Sequence, residues 1–547
     1  MSSISDAAGA TRPARPPTVF TRKATGLVRE VSLPAMIGVN AGVALPVSMS
    51  LAVGVFFAMA AFPGANLIIG LLIALALLPP VWILFSLMAA TMPRTGGDYI
   101  YGSRILHPVL GLWSNILMFL GTLLGVGISS VYVIKLGLTP LFATIDAVTG
   151  NHWWATASAT IAENGWTFAI AAVAIIVVSL LSVLGTKFIT RFVMYLYFAS
   201  LIVALASIVI LLFTSHHHFI SSVNKFAGPL LHKPDVYSST VAAGAKAGIA
   251  YPARVGYSFK NTLGASLVML GVASGTYYGI YLAGEFKGAG RRRRQIGSML
   301  GTGLFQGIVL LLGMIIFIHT AGYDFTASAS NGKFSVGSPF YSFFASIIVG
   351  GSFFPILLAV LFAFALPPLL YGNMAMTQRV PFALAFDGLI PQRAATVSNK
   401  THAPTASIII TAIGGVAMAA WAAFSPSFIT ILAYANFVAP PPFIVVGLAG
   451  IWMYYRRRDL YEGGPADWKV AGIPVLPVCG AITVFVGVYM LVLMYVFNVN
   501  VAMNPVWLTV VIVGGFVLAA GLYYGARAAQ RARGVDLDLV YKSLPAE

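Results

Sequence analysis

Charge is scarce in this chain. Asp, Glu, Lys and Arg make up 9% of its 547 residues, whereas 59% are hydrophobic. A soluble globular fold does not carry so much apolar surface with so few charges to cover it, so composition points to a polytopic membrane protein with the bilayer as its solvent. Cysteine is nearly absent. Cys479 alone cannot close an intrachain disulfide or build a thiolate metal site. The first thirty residues lack the apolar core and cleavage site of a secretory signal. They hold Arg12, Arg15, Arg22, Lys23 and Arg29 among Pro, Ser and Thr, and read as a disordered cytoplasmic tail, 1–30. Phosphate-cradling loops are missing too: Gly301–Gly303 has no strand before it, so ATP hydrolysis by this chain is not expected. The apolar runs hold no His/Asp/Glu constellation of catalytic spacing, which speaks against an integral-membrane enzyme, and no repeated pore loop speaks for a channel. His216–His218 are adjacent and would point in different directions on a helix, a poor metal site. Neither a metal nor a cofactor is expected.

What the chain has is long charge-free runs. A membrane span needs about 20 apolar residues. The run from Val31 to Met92 holds two, hinged at Phe62–Asn66. Single spans follow in Ile105–Ile134, Asn164–Thr186, Phe192–Asn224, Asn261–Gly284, Gln295–Tyr323 and Phe334–Gln378. Thr401–Tyr455 holds two, hinged at Phe424–Phe428, and Val470–Ala526 two more, hinged near Phe497–Asn500, for twelve in all. With the N-terminus inside, 25 of the 32 Lys and Arg residues fall on the cytoplasmic side and 7 on the other, so count and orientation support each other. The net charge of +17 is then mainly topology plus attraction to anionic lipid, and because it is spread over short loops it does not imply nucleic acid. Arg291–Arg294 reads as a topogenic, lipid-contacting cluster. Residues 215–260 form an extracellular loop of mixed polarity, and 527–547 a cytoplasmic tail.

The first span carries its own interruptions. Val39–Ser50 contains Asn40, Gly42, Pro46 and Ser48; Pro removes a backbone donor and Gly weakens a helix. One reading is a discontinuous helix that frees backbone groups for a substrate or ion at the midplane. The other is packing, with Gly38 and Gly42 as a small-residue face. The sixth span repeats the trait: Gly271, Gly275 and Gly279 lie four apart, with Ala273, Ser274, Thr276 and Tyr277 among them. If the first ten spans are two repeats of five, spans one and six correspond, and paired interruptions at corresponding positions point to a transporter site. Pro93–Arg104 follows span two; either Asp98 pairs with Arg94 or Arg104 to latch an inner gate, or the stretch is a solvated loop with topogenic arginines, and composition alone does not decide. Gln378–Ser407 follows span eight and is amphipathic around Phe382–Phe386, the mark of a short helix on the inner membrane face. Pro367–Pro368 and Pro440–Pro442 are expected to kink spans eight and ten.

Together these motifs resemble permeases of the amino acid–polyamine–organocation superfamily. PRTGGDYIYGSR (Pro93–Arg104) resembles their loop after span two, and QRVPFALAFDGLIPQR with Thr401–Pro404 their loop after span eight. Glu285 sits at the usual glutamate ending span six, and Arg29–Leu33 resembles the start of span one. The resemblance covers spans one to ten. It implies an all-α integral membrane protein with a five-plus-five inverted-repeat core, 31–214 and 261–455, discontinuous helices one and six, and two extra spans in 456–526.

It also implies secondary-active transport of amino acids across the plasma membrane by alternating access, with sodium or proton as a possible coupling ion. In such permeases unwound span one offers N–H groups to the substrate carboxylate and unwound span six offers carbonyls to the ammonium. Aligned here, those stretches fall on Pro46, Val47, Ser48 and Met49, and on Gly275, Thr276 and Tyr277. Pro46 and Ser48 replace glycines, and Thr276 and Tyr277 replace an aromatic and an acid, so Tyr277 is the candidate gate. The lysine of some members falls on Ser200, and the acid that often ends span two falls near Leu87. The expected substrate-binding set is Asn40, Gly42, Pro46, Val47, Ser48, Ala273, Ser274, Gly275, Thr276 and Tyr277, and the expected partners are an amino acid, a coupling ion and membrane lipids. A polyamine, nucleobase or organic-cation carrier on the same scaffold is the alternative.

Overall fold

Apolar runs of this length satisfy their backbone in lipid by closing every hydrogen bond within a helix. The computed structural model describes residues 26–43, 45–336, 340–425, 439–500 and 504–542. Among these, eleven helices are long and apolar enough to cross a membrane. Span one is Leu33–Leu51, continuing through Ala52–Phe57 and Ala58–Ala61. Span two is Leu67–Thr91, span three Pro108–Thr149, span four Asn164–Val183, span five Thr186–Leu212 and span six Phe259–Glu285. Span seven is Arg292–Ala321, span eight Phe353–Phe386, span nine Thr405–Phe424, span eleven Val475–Val496 and span twelve Pro505–Ala532. The place of span ten is held by the helix Pro440–Arg456, with 17 described residues. The tail up to residue 25 and most of the hinge expected at Phe424–Phe428 lie outside the described residues.

Burial sorts the spans into centre and rim. Spans one and six are 76% and 78% buried, against 28% for span four and 22% for span twelve. The two interrupted spans therefore form the middle of the molecule. They pack on each other, span one also on five and eight, and span six on two. Span three is the other hub, holding eight, nine and twelve. Outward-facing Leu, Ile, Val and Phe side chains on spans four, five, nine, eleven and twelve give the lipid-facing surface.

The segment 215–260, expected as a loop of mixed polarity, is helical over His216–Leu231 and Val236–Lys246, because Ser215 and Asp235 cap those helices and Phe219, Val223 and Val236 supply a buried face. One sequence reading is corrected. Phe382–Phe386 forms no separate interfacial helix; it completes the helix Leu366–Phe386 of span eight, with Phe382 buried. Pro440–Pro442 stand at the start of the described helix Pro440–Arg456, and the kink expected there falls against residues 426–438, which lie outside the described residues. Pro367 and Pro368 do interrupt span eight, which divides into Phe353–Ala363 and Leu366–Phe386.

Candidate functional site

Both central spans break where Gly, Pro and small polar residues gather. Span one is α-helical over Leu33–Val43 and resumes at Val47. Between them Leu45 takes a left-handed φ of 62°, a conformation that costs a non-glycine residue about 1–2 kcal/mol. Pro46 caps the resumed helix with φ −51° and ψ 147°, and the first returning bonds run from the N–H groups of Met49 and Ser50 to its carbonyl. The N–H groups of Val47 and Ser48 precede those bonds, the usual condition of a helix start. Span six is α-helical over Phe259–Ser274, then tightens into a 3-10 helix over Gly275–Glu285. Eleven residues is long for that geometry, which rarely persists beyond about four.

The carbonyls released at the breaks are met by side chains that the sequence reading did not single out. Gln306 of span seven donates through Nε2 to the carbonyls of Ala41 at 3.2 Å and Leu45 at 3.3 Å. The Ser50 hydroxyl donates to the same Leu45 carbonyl at 2.8 Å. Trp82 of span two donates its indole N–H to the Ser274 carbonyl at 3.2 Å, at the point where span six changes pitch. An amide in the middle of a mostly apolar span and a tryptophan far from either interface were the available signals.

The polar side chains at the breaks are less satisfied. Asn40 donates through Nδ2 to the Ser298 carbonyl of span seven at 2.8 Å, but its Oδ1 has no partner among the described residues. That oxygen lies against Gly279 of span six, where an added Cβ would come within 2.5 Å of it, so Gly279 is what admits Asn40 to the face of span six. The hydroxyls of Ser48 and Thr276 are likewise buried and without a partner among the described residues. Unpartnered hydroxyls also occur elsewhere in the described interior, at Ser207, Thr302 and Thr411 among others, but at the breaks they lie in two spans that pack on each other.

The remaining candidates divide. Pro46 and Val47 form the break itself, and Ala273, Ser274 and Gly275 the change of pitch. Gly42 turns away from span six onto Pro368 of span eight, where a Cβ would approach within 2.9 Å, and Gly38 packs on Met194 of span five. The small-residue face and the broken helix are thus both present in span one. Tyr277 stacks at 4.6 Å on Phe85 of span two and meets Phe443 of span ten edge-on at 5.2 Å. Ser200 is buried, and its hydroxyl donates within its own helix to the Tyr197 carbonyl at 2.8 Å. Among the described residues no three His, Cys, Asp or Glu gather as metal ligands.

Towards the face that carries the N-terminal segment, polarity becomes charged and largely paired, although Arg104 Nε and Gln378 Nε2 have no partner among the described residues. Glu285, at the end of span six, accepts from Arg379 Nε at 3.0 Å and Nη2 at 3.2 Å, and from the Thr186 hydroxyl at 2.5 Å. Its carbonyl accepts the Val31 N–H at 2.9 Å, and the Val31 carbonyl accepts the Lys287 N–H. One buried residue thereby ties spans five, six and eight through its carboxylate and the start of span one through its carbonyl. The latch expected between Asp98 and an arginine is not formed. Asp98 is buried and accepts from Ser114, Asn115 and Tyr281, while Arg104 pairs with Asp387 at 2.5 Å beside the Tyr99 hydroxyl. Burial pushes the Asp98 carboxyl above the usual carboxylate range, against the pull of its three donors. Tyr541 of the C-terminal helix Leu537–Lys542 lies at 3.1 Å from the Tyr99 hydroxyl and under the Arg104 guanidinium.

A search among curated proteins returns no match. A family model described as amino acid permease matches residues 37–517, which takes in both breaks, Glu285 with Thr186 and Arg379, and the first part of span twelve. With two interrupted central spans in an all-helical membrane fold, that match over most of its length means the chain belongs to the amino acid permease family, whose members carry amino acids across membranes.

Proposed function

We propose that this permease is a secondary-active, ion-coupled amino acid symporter of the plasma membrane, with both termini in the cytoplasm. It would work by alternating access around a site formed by Asn40, Pro46–Ser48 and Ala273–Tyr277. The observation that carries the reading is the set of buried oxygens left without partners at both breaks, Asn40 Oδ1, Ser48 Oγ and Thr276 Oγ1. A zwitterion brings both donors and acceptors, and completing these groups would offset part of its own dehydration. The positive end of the resumed helix at Val47–Ser48 suits the carboxylate, and the carbonyl end of the first half of span six, at Ser274, suits the ammonium. Sodium or proton coupling and the two five-span repeats, 31–214 and 261–455, belong to the same proposal.

In this mechanism spans one, two, six and seven rock against three, four, five and eight. The Glu285–Arg379–Thr186 junction joins the two groups on the cytoplasmic side, so it must open when substrate is released inward. Tyr277, placed between Phe85 and Phe443, closes the far side of the span-six break. The test is uptake of a labelled amino acid panel by purified protein in liposomes, with sodium and proton gradients imposed separately. Saturable accumulation of particular amino acids under one gradient is the expected result. Uptake of a polyamine or nucleobase, with no amino acid carried, would overturn the assigned carboxylate site.

A further inference from the structure

A cleft of about 580 Å³ opens on the N-terminal face where spans one and five meet the connection between spans eight and nine. Lys187, Arg191 and Lys400 line it, with Glu30 the only carboxylate among the lining residues. All three cations are exposed, and none is ion-paired among the described residues. Gly185 shapes the floor. Its φ is +107°, and an added Cβ would meet the Thr401 carbonyl oxygen at 2.9 Å, so only glycine lets span five lie this close to the connection that carries Lys400.

The outer wall of the cleft is apolar. Phe188, Phe192 and Tyr195 are 48%, 42% and 67% exposed, and the same stripe runs down span five through Ile202 and Val209. In a helix that crosses a membrane, such a stripe faces hydrocarbon. The cations therefore sit at the headgroup level directly above an acyl-facing groove, with aromatic side chains at the boundary where they are favoured. Phosphate alone would use the cations and leave the stripe idle, and a neutral lipid would use the stripe and leave the cations uncompensated.

We infer that the cleft between Lys187, Arg191 and Lys400 is a binding site for an anionic phospholipid of the leaflet on the N-terminal side, with its phosphate among the three cations and its acyl chains along Phe188, Phe192 and Tyr195. The site adjoins the Glu285 junction on both flanks. Thr186, between Gly185 and Lys187, donates to the Glu285 carboxylate, and Glu30 precedes Val31, which donates to the Glu285 carbonyl. A lipid seated here holds span five and the eight–nine connection together at the point where the junction has to open.

The experiment is native mass spectrometry of the purified full chain, titrated with phosphatidylglycerol or phosphatidylcholine. The wild type is expected to retain one phosphatidylglycerol about tenfold or more tightly than phosphatidylcholine, since each basic side chain near the surface contributes of the order of a fivefold attraction. Lys187→Gln/Arg191→Gln/Lys400→Gln should lose that preference. Arg393→Gln/Lys469→Gln/Arg533→Gln, with the same charge removed elsewhere on this face, should keep it. All six side chains lie at the surface, so both variants should elute from size exclusion as the wild type does. The inference is overturned if the first variant keeps the preference, if the second loses it equally, or if glycerol phosphate without acyl chains binds as tightly as the lipid.

Discussion

At the two breaks, Asn40, Ser48 and Thr276 are neutral, buried and left with an unpartnered oxygen each; where the start of span one meets the end of span six, Glu285 receives the Arg379 guanidinium and the Thr186 hydroxyl on its carboxylate and the Val31 N–H on its carbonyl. Both regions are fully buried, so the contrast is not one of solvent. It is one of completion. A buried charge is tolerated only when it is fully paired, whereas a buried hydroxyl can be left open for a modest cost. A transporter needs both kinds: a centre whose polar groups are completed by its cargo, and a rim whose polar groups complete each other until they are pulled apart.

The contrast breaks first where it is strongest. Arg379→Ala would strand Glu285 in the interior and should destabilise the protein by about 3–5 kcal/mol, read as a loss of thermal stability in detergent. Arg379→Leu combined with Glu285→Leu should recover much of it; if the double variant is as unstable as the single one, the junction is not a pair. Gln306→Leu removes the donor shared by the Ala41 and Leu45 carbonyls and should cost about 1–3 kcal/mol, with a smaller loss expected from Gln306→Asn only if the shorter amide still reaches. Ser48→Ala deletes an oxygen that nothing in the described protein uses. Stability should stay within about 0.5 kcal/mol while uptake falls roughly tenfold, the equivalent of about 1.4 kcal/mol of substrate interaction. Equal damage to both would assign Ser48 to packing.

The smallest effect concerns pH. The Asp98 carboxyl is raised in the folded state, so its protonated form is favoured there. Its contribution to stability is full below the ordinary carboxylate pKa and is lost as pH rises through the raised value. Asp98→Asn should flatten that slope when unfolding is followed from acid to neutral pH. A slope unchanged in the variant would place the titration elsewhere.

Much of this was legible in the sequence because lipid leaves few choices. Charge-free runs had to be helices, and Pro46 and Gly275 had to disturb them, so the breaks fall where the residues place them. The partners at the breaks were not legible. Gln306 and Trp82 are remote in sequence from the carbonyls they meet, and neither belongs to a motif. Charge pairing was misread for a related reason. Asp98 and Arg104 are neighbours in the chain, yet Arg104 bonds to Asp387, far along the sequence, while Asp98 collects neutral donors from spans three and six. The helices in residues 215–260 were not legible because the charges there were read for membrane topology and say little about structure outside the membrane.

The 3-10 stretch of span six also stores length. Eleven residues at the 3-10 rise extend about 22 Å, and the same residues wound as α-helix about 16.5 Å, a difference of about 5.5 Å. Rewinding would also turn successive residues from three to 3.6 per turn, so Gly279, which admits Asn40, and Glu285, which holds the rim, would no longer share one line along the helix. The segment that links the centre to the rim is therefore built as a stroke and a twist in one element, and the two ends cannot be moved independently.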